Sequence, residues 1–84
     1  MQEVGIHHEV SERAVLRRVN RALAHQGLRV RKTVHGSRAE FDLGEYFEVD
    51  TSHGGCTCAN IDLESWARDL GVLKDYETMQ PDTD

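Results

Sequence analysis

The apolar positions between Val10 and Leu28 recur at helical spacing. At about 100° per residue, Val15, Leu16, Val19, Ala22 and Leu23 form one stripe, and Arg13, Arg17, Arg18, Arg21 and His25 point nearly opposite. Ser11 is placed to accept from a free amide of the first turn, and Glu12 follows where the helix dipole favours an anion. Val10 and Val15 have the spacing of a hydrophobic staple, and Gly27 suits a left-handed helix end. The pattern predicts a helix over residues 12–26.

Beyond Gly27 the period falls from 3.6 to two. Leu28 to Val34 predicts a strand with Leu28, Val30 and Val34 inward and Arg29, Arg31 and Thr33 outward. His35-Gly36-Ser37 is turn chemistry, and Arg38 to Leu43 then alternates again, predicting a second strand with Ala39, Phe41 and Leu43 inward. Tyr46 to Thr51 predicts a third, with Phe47 and Val49 inward and Tyr46, Glu48 and Asp50 outward. Ser52 to Gly55 reads as a hairpin loop returning Cys56 to Asn60 antiparallel. Asp62 is placed to cap a second helix through Leu63, Trp66, Ala67 and Leu70, with Gly71 at its end.

These elements predict an α+β fold: a long N-terminal helix, a three- to four-stranded antiparallel meander sheet and a short C-terminal helix, both helices on one sheet face. Residues 1–9, with His7 and His8, are expected to be a flexible N-terminus, residues 10–73 a single domain, and residues 74–84 a loose acidic tail. A chain of 84 residues buries only about 60–65 % of its unfolded surface, so dimerisation or partner binding is expected to add to its stability, with a monomer left open. No apolar run approaches the roughly 20 residues of a membrane span, and the first ten residues lack a signal-peptide pattern. A cytoplasmic protein with reduced cysteines is expected.

Charge divides the chain. From Arg13 to Arg38 there are eight basic residues and no Asp or Glu, whereas the whole chain carries a net charge of −5. Two binding surfaces follow. Arg13, Arg17, Arg18, Arg21, Arg29, Arg31 and Lys32 could grip a nucleic-acid backbone, although a net negative domain repels a polyanion at long range. Glu40, Asp42, Glu48 and Asp50, at every second position of two predicted strands, would instead present a regular array of carboxylates, with Glu45 beside it and Tyr46 as a packing anchor.

Catalytic and metal chemistry find little purchase. His53, Cys56 and Cys58 are three candidate zinc ligands, but a C-x-C pair on one strand face is ordinarily two small half-buried thiols. No histidine is placed by sequence as the base for a thiol nucleophile, and no phosphate loop or metallohydrolase pattern occurs. The chain therefore reads as non-enzymatic and without a cofactor.

Three segments, QGLRVRKTV at 26–34, GEYFEVD at 44–50 and DLESWARDLGVL at 62–73, resemble a recurrent type of small proteobacterial and prophage protein over Val15 to Leu73. The C-x-C departs from that type, whose strand carries aliphatic residues there. The resemblance implies the α+β fold and no catalytic residue; its nearest functional group is anti-CRISPR proteins and other inhibitors of host enzymes. On that basis the leading expectation is a phage or mobile-element inhibitor in the host cytosol, whose acidic surface docks on a nucleic-acid-binding host protein. A small regulator that binds nucleic acid through its arginines is the alternative.

Overall fold

The computed structural model of the chain describes residues 8–80. It is an α+β fold with three α-helices, a three-stranded antiparallel sheet and a parallel two-stranded pair. In chain order these are β1 (His8–Ser11), α1 (Glu12–Leu23), β2 (Leu28–Lys32), α2 (Arg38–Leu43), β3 (Tyr46–Asp50), β4 (Cys56–Cys58), α3 (Leu63–Asp69) and β5 (Glu77–Gln80). The antiparallel sheet has the order β2-β3-β4, and β1 pairs with β5.

Both helices predicted from periodicity form, with the caps the sequence signals. Ser11 Oγ accepts from the Ala14 N–H at 3.1 Å and Asp62 Oδ1 from the Ser65 N–H at 3.2 Å. The last turn of the first helix tightens to a 3-10 helix over Ala24–Gln26 before Gly27 takes φ of 70°. Val15, Val19 and Leu23 enter one core with Val10, Val30, Tyr46, Ile61, Leu63, Ala67 and Leu73, against which Trp66 and Leu70 pack half-buried.

The join between α1 and the sheet is polar. Val30 lies opposite Glu48, and its N–H and C=O are held by one side chain: the N–H donates to Asn20 Oδ1 at 2.7 Å, and Asn20 Nδ2 donates to the C=O at 3.1 Å. The amide thus satisfies the edge of β2 as a further strand would. Two ionic contacts add to it. Glu12 is buried and accepts from Lys32 Nζ at 2.9 Å, and the same ammonium stands 6.0 Å from the Tyr46 ring centroid.

Three expectations need correction. Arg38–Leu43 is helical: Ser37 Oγ accepts from the Glu40 N–H at 3.2 Å, Glu40 Oε1 accepts from the Gly36 N–H at 2.8 Å, and Gly44 ends the helix with φ of 81°. Ser37 thus caps the helix and Glu40 holds the residue before the cap, closing a turn that a strand could not use, and Phe41 is left 90 % exposed. The phase of β3 is inverted: Tyr46 and Glu48 are buried, at 2 % and 7 % exposure, and Phe47 and Val49 lie outside the core. At the end of β2, Thr33 is buried, with its hydroxyl donating to the Gly44 and Glu45 carbonyls, and Val34 is exposed.

The expected loose ends are also revised where they are described. His8 and Glu9 belong to β1, and Glu77–Gln80 form β5 rather than part of a loose tail; His7 and residues 81–84 lie outside the described residues. Arg18 Nη1 donates to the Val72 carbonyl and to Glu77 Oε1, each at 3.1 Å, and Arg68 donates to the Lys74 and Glu77 carbonyls. The Lys74 backbone N–H, and then the Arg18 guanidinium, hold the Glu77 carboxyl below the usual carboxylate range.

Asn20→Leu should cost about 1–3 kcal/mol in urea unfolding, because the edge groups of Val30 would then face an apolar side chain. The lowered Glu77 pKa means that the ionised group stabilises the fold above the ordinary value, and that this contribution disappears as pH falls through the folded one. Protection of the Glu77–Gln80 amides, measured relative to the intrinsic exchange rate at each pH, should therefore fall as the pH drops through the lowered Glu77 value. In Glu77→Gln that protection should already be lower at pH 7, with the acid step lost.

Candidate nucleic-acid interface

Strand alternation sets the geometry of the site. Val30 faces the core, so Arg29 and Arg31 project from the other face of β2. Their cross-strand neighbours are Val49 and Phe47, respectively, and Cys56 is next to Val49 on β4. This face therefore carries a half-buried aromatic and a half-buried valine between two exposed guanidiniums and a thiol. Among the described residues no acid pairs with Arg29 or Arg31.

The same strand joins this face to α1. Asn20 meets β2 at Val30, Arg17 precedes Asn20 by one helical turn, and Ala24 follows it by one. A shallow hollow follows the seam, lined by Asn20, Ala24, Gly27, Leu28, Arg29 and Thr51. Arg17 is exposed and also lacks an acidic partner among the described residues. Arg17, Arg29 and Arg31 thus flank one junction from helix and strand, with Arg13 a further turn back on the exposed face of α1.

The other predicted cations go elsewhere. Arg21 lines a separate hollow with Arg18, Ala22, His25 and Val72, one helical turn beyond Arg17 on the exposed face of α1. Arg18 is committed to Val72 and Glu77, and Lys32 to Glu12, with Glu45 at 3.8 Å. Neither Arg18 nor Lys32 belongs to the outward basic set.

The expected acidic array is not assembled. Glu40 and Asp42 sit on α2 instead of a strand, and Glu40 is occupied by the Gly36 amide, which with His35 lowers its pKa. Glu48 points inward, where its Oε1 accepts from the Thr57 hydroxyl at 2.7 Å; Asp50 Oδ1 accepts from the Ser52 N–H at 2.7 Å. Tyr46 is in the core, so it is no surface anchor. Asp42 and Glu45 are the members whose carboxylates remain more than half exposed.

The cysteines are separated by a β-bulge. Val49 pairs with Cys56 and Glu48 with Cys58, leaving Thr57 as the extra residue, and consecutive β3 positions face opposite sides. Cys56 is exposed and Cys58 packs against the core, so the expected shared face is lost. No group of three His, Cys, Asp or Glu side chains converges among the described residues, so His53, Cys56 and Cys58 are not gathered as ligands. No helix among them is long and apolar enough to cross a membrane.

Sequence reading missed Asn20, Phe47 and Val49 as parts of the site. Asn20 had a signal: a good hydrogen-bonding residue in a helix interior, at the border of the apolar stripe. The inverted phase changes what charge reversal does at Glu48. Glu48→Lys should destabilise the protein by about 2 kcal/mol or more in urea unfolding, because it buries an unpaired cation against the core. No protein-family model, curated protein or solved structure matches the chain.

Proposed function

We propose that the protein is a non-enzymatic binding module for single-stranded nucleic acid, using the seam between α1 and β2 and the adjoining sheet face. The observation that carries this reading is that Arg29 and Arg31 stand beside Phe47 and Val49 with no acidic partner among the described residues. Guanidiniums at this spacing can contact successive phosphates, and the aromatic opposite Arg31 on the next strand can stack on an unpaired base. In this reading α1 and α3 cover the other side of the sheet and leave this one for the ligand. Arg17, and Arg13 behind it, extend the phosphate path around the edge that Asn20 closes.

The inhibitor reading, with a host nucleic-acid enzyme as partner, has less to stand on. Its acidic surface is reduced to Asp42 and Glu45 beside the exposed Phe41. The arginine surface keeps Arg13, Arg17, Arg29 and Arg31 outward.

Fluorescence anisotropy with labelled single-stranded DNA and RNA of mixed sequence, over a salt series, tests the proposal. Arg29→Glu with Arg31→Glu should abolish binding at low salt. The single change Arg31→Ala should reduce the log–log salt slope by roughly one phosphate contact. Phe47→Ala should weaken binding by about 1–3 kcal/mol with the slope unchanged. Lys74→Glu, between α3 and β5, should have much less effect. No binding of either strand at low salt, or equal losses from Lys74→Glu and the strand arginines, would overturn the assignment.

A further inference from the structure

The connection between β2 and β3 contains a helix that half-buries Glu40 and Leu43 on one side and leaves the other in water. None of the residues of α2 is buried, Phe41 is 90 % exposed, and Val34, just before the helix, is 75 % exposed. A six-residue helix is far below the length of about 12–15 at which helices persist alone, and most protein helices are stabilised by a packed face. Here Ser37 caps one end, Glu40 accepts from the Gly36 N–H just before it, and Gly44 closes the other. The chain thus fixes α2 in shape while leaving Phe41 in water.

Its charges are self-complementary. Arg38 and Asp42 lie one turn apart, on the side of the helix shared with Phe41, and at 3.9 Å their contact is long, with side-chain exposures of 94 % and 58 %. When two such helices lie antiparallel about a two-fold axis, the first turn of one faces the last turn of the other. Arg38 of each copy then meets Asp42 of the second, and the two Phe41 rings meet near the axis. A parallel arrangement would oppose like charges.

We infer that α2 is a self-association element through which two copies pair isologously, Phe41 against Phe41 and Arg38 against the second copy's Asp42. The contact is small beside the roughly 1,200–2,000 Å² of stable interfaces, so the dimer is concentration-dependent. It leaves Arg17, Arg29 and Arg31 outside the contact, and it stands whether or not they bind nucleic acid.

Sedimentation velocity from about 10 µM to 1 mM in low salt tests the inference, a range that brackets weak affinities. The mass should rise from 9.5 kDa toward twice that value. Phe41→Asp should stay monomeric throughout. Arg38→Asp, which sets acid against acid, should weaken the dimer at least tenfold, and Arg38→Asp combined with Asp42→Arg should restore it to within about threefold of the original affinity. Phe41 and Arg38 are exposed, and circular dichroism checks that each variant stays folded. A wild-type monomer across the range, a dimer indifferent to Phe41→Asp, or a charge swap that fails to rescue each overturns the pairing.

Discussion

One side chain fixes how the sheet meets the helix. The Asn20 amide holds both edge groups of Val30, so β2 cannot slide along α1 without breaking two hydrogen bonds at a half-buried site. Val30 then faces Val19 and Leu23 in the core, and ladder pairing places Glu48 on the same side as Val30. Every other position of β2 and β3 follows: Tyr46 goes inward, and Arg29, Arg31, Phe47 and Val49 go outward. A shift of one residue would reverse all of them. The proposed interface is therefore a consequence of this register.

Such a register puts two carboxylates, Glu12 and Glu48, where a larger protein would place aliphatic groups. Glu12 meets Lys32, and Glu48 accepts from Thr57, the extra residue of the bulge. Each charge is partnered, which is the condition for keeping it inside; the pairs define the arrangement more than they stabilise it. The bulge has a second effect. By adding one residue to β4 it turns Cys56 outward while Cys58 stays against the core. Removing Thr57's hydroxyl would therefore disturb both the buried acid and the strand that separates the thiols.

Much of the fold was legible where local signals agreed with tertiary packing. Ser11, Gly27, Asp62 and Gly71 mark helix ends, and the stripe of Val15, Val19 and Leu23 packs as its spacing says. Misreadings came where hydrophobicity and hydrogen bonding disagreed. Over Arg38–Leu43, three apolar residues in six fit a period of two, but Ser37 and Glu40 spell a capping box, and the hydrogen bonds decided. In β3 the pattern favours Phe47 and Val49 as the inner pair. Pairing with Val30 overrides it, because Lys32 and Thr57 supply partners that let Tyr46 and Glu48 be buried. The strand β5 had no local signal, since Arg18 and Arg68 reach it from distant positions.

The arginines show why a formal net charge is a poor guide to what a surface attracts. Ten cations against fifteen acids suggest a chain that repels polyanions. Yet Arg18, Lys32 and Arg68 are turned to carboxylates or carbonyls of their own fold, and Glu12, Glu64 and Glu77 are used up in the same contacts. Of the remaining charge, Arg17, Arg29 and Arg31 lie at one seam, while the exposed acids belong to other segments, those of α3 and Asp42 and Glu45 between β2 and β3. At physiological salt, fields decay over about 8 Å, so a ligand already at the seam responds mainly to the arginines beside it. On the proposed reading, long-range repulsion slows the encounter without cancelling the contact, and the strong salt dependence expected of phosphate binding is set locally.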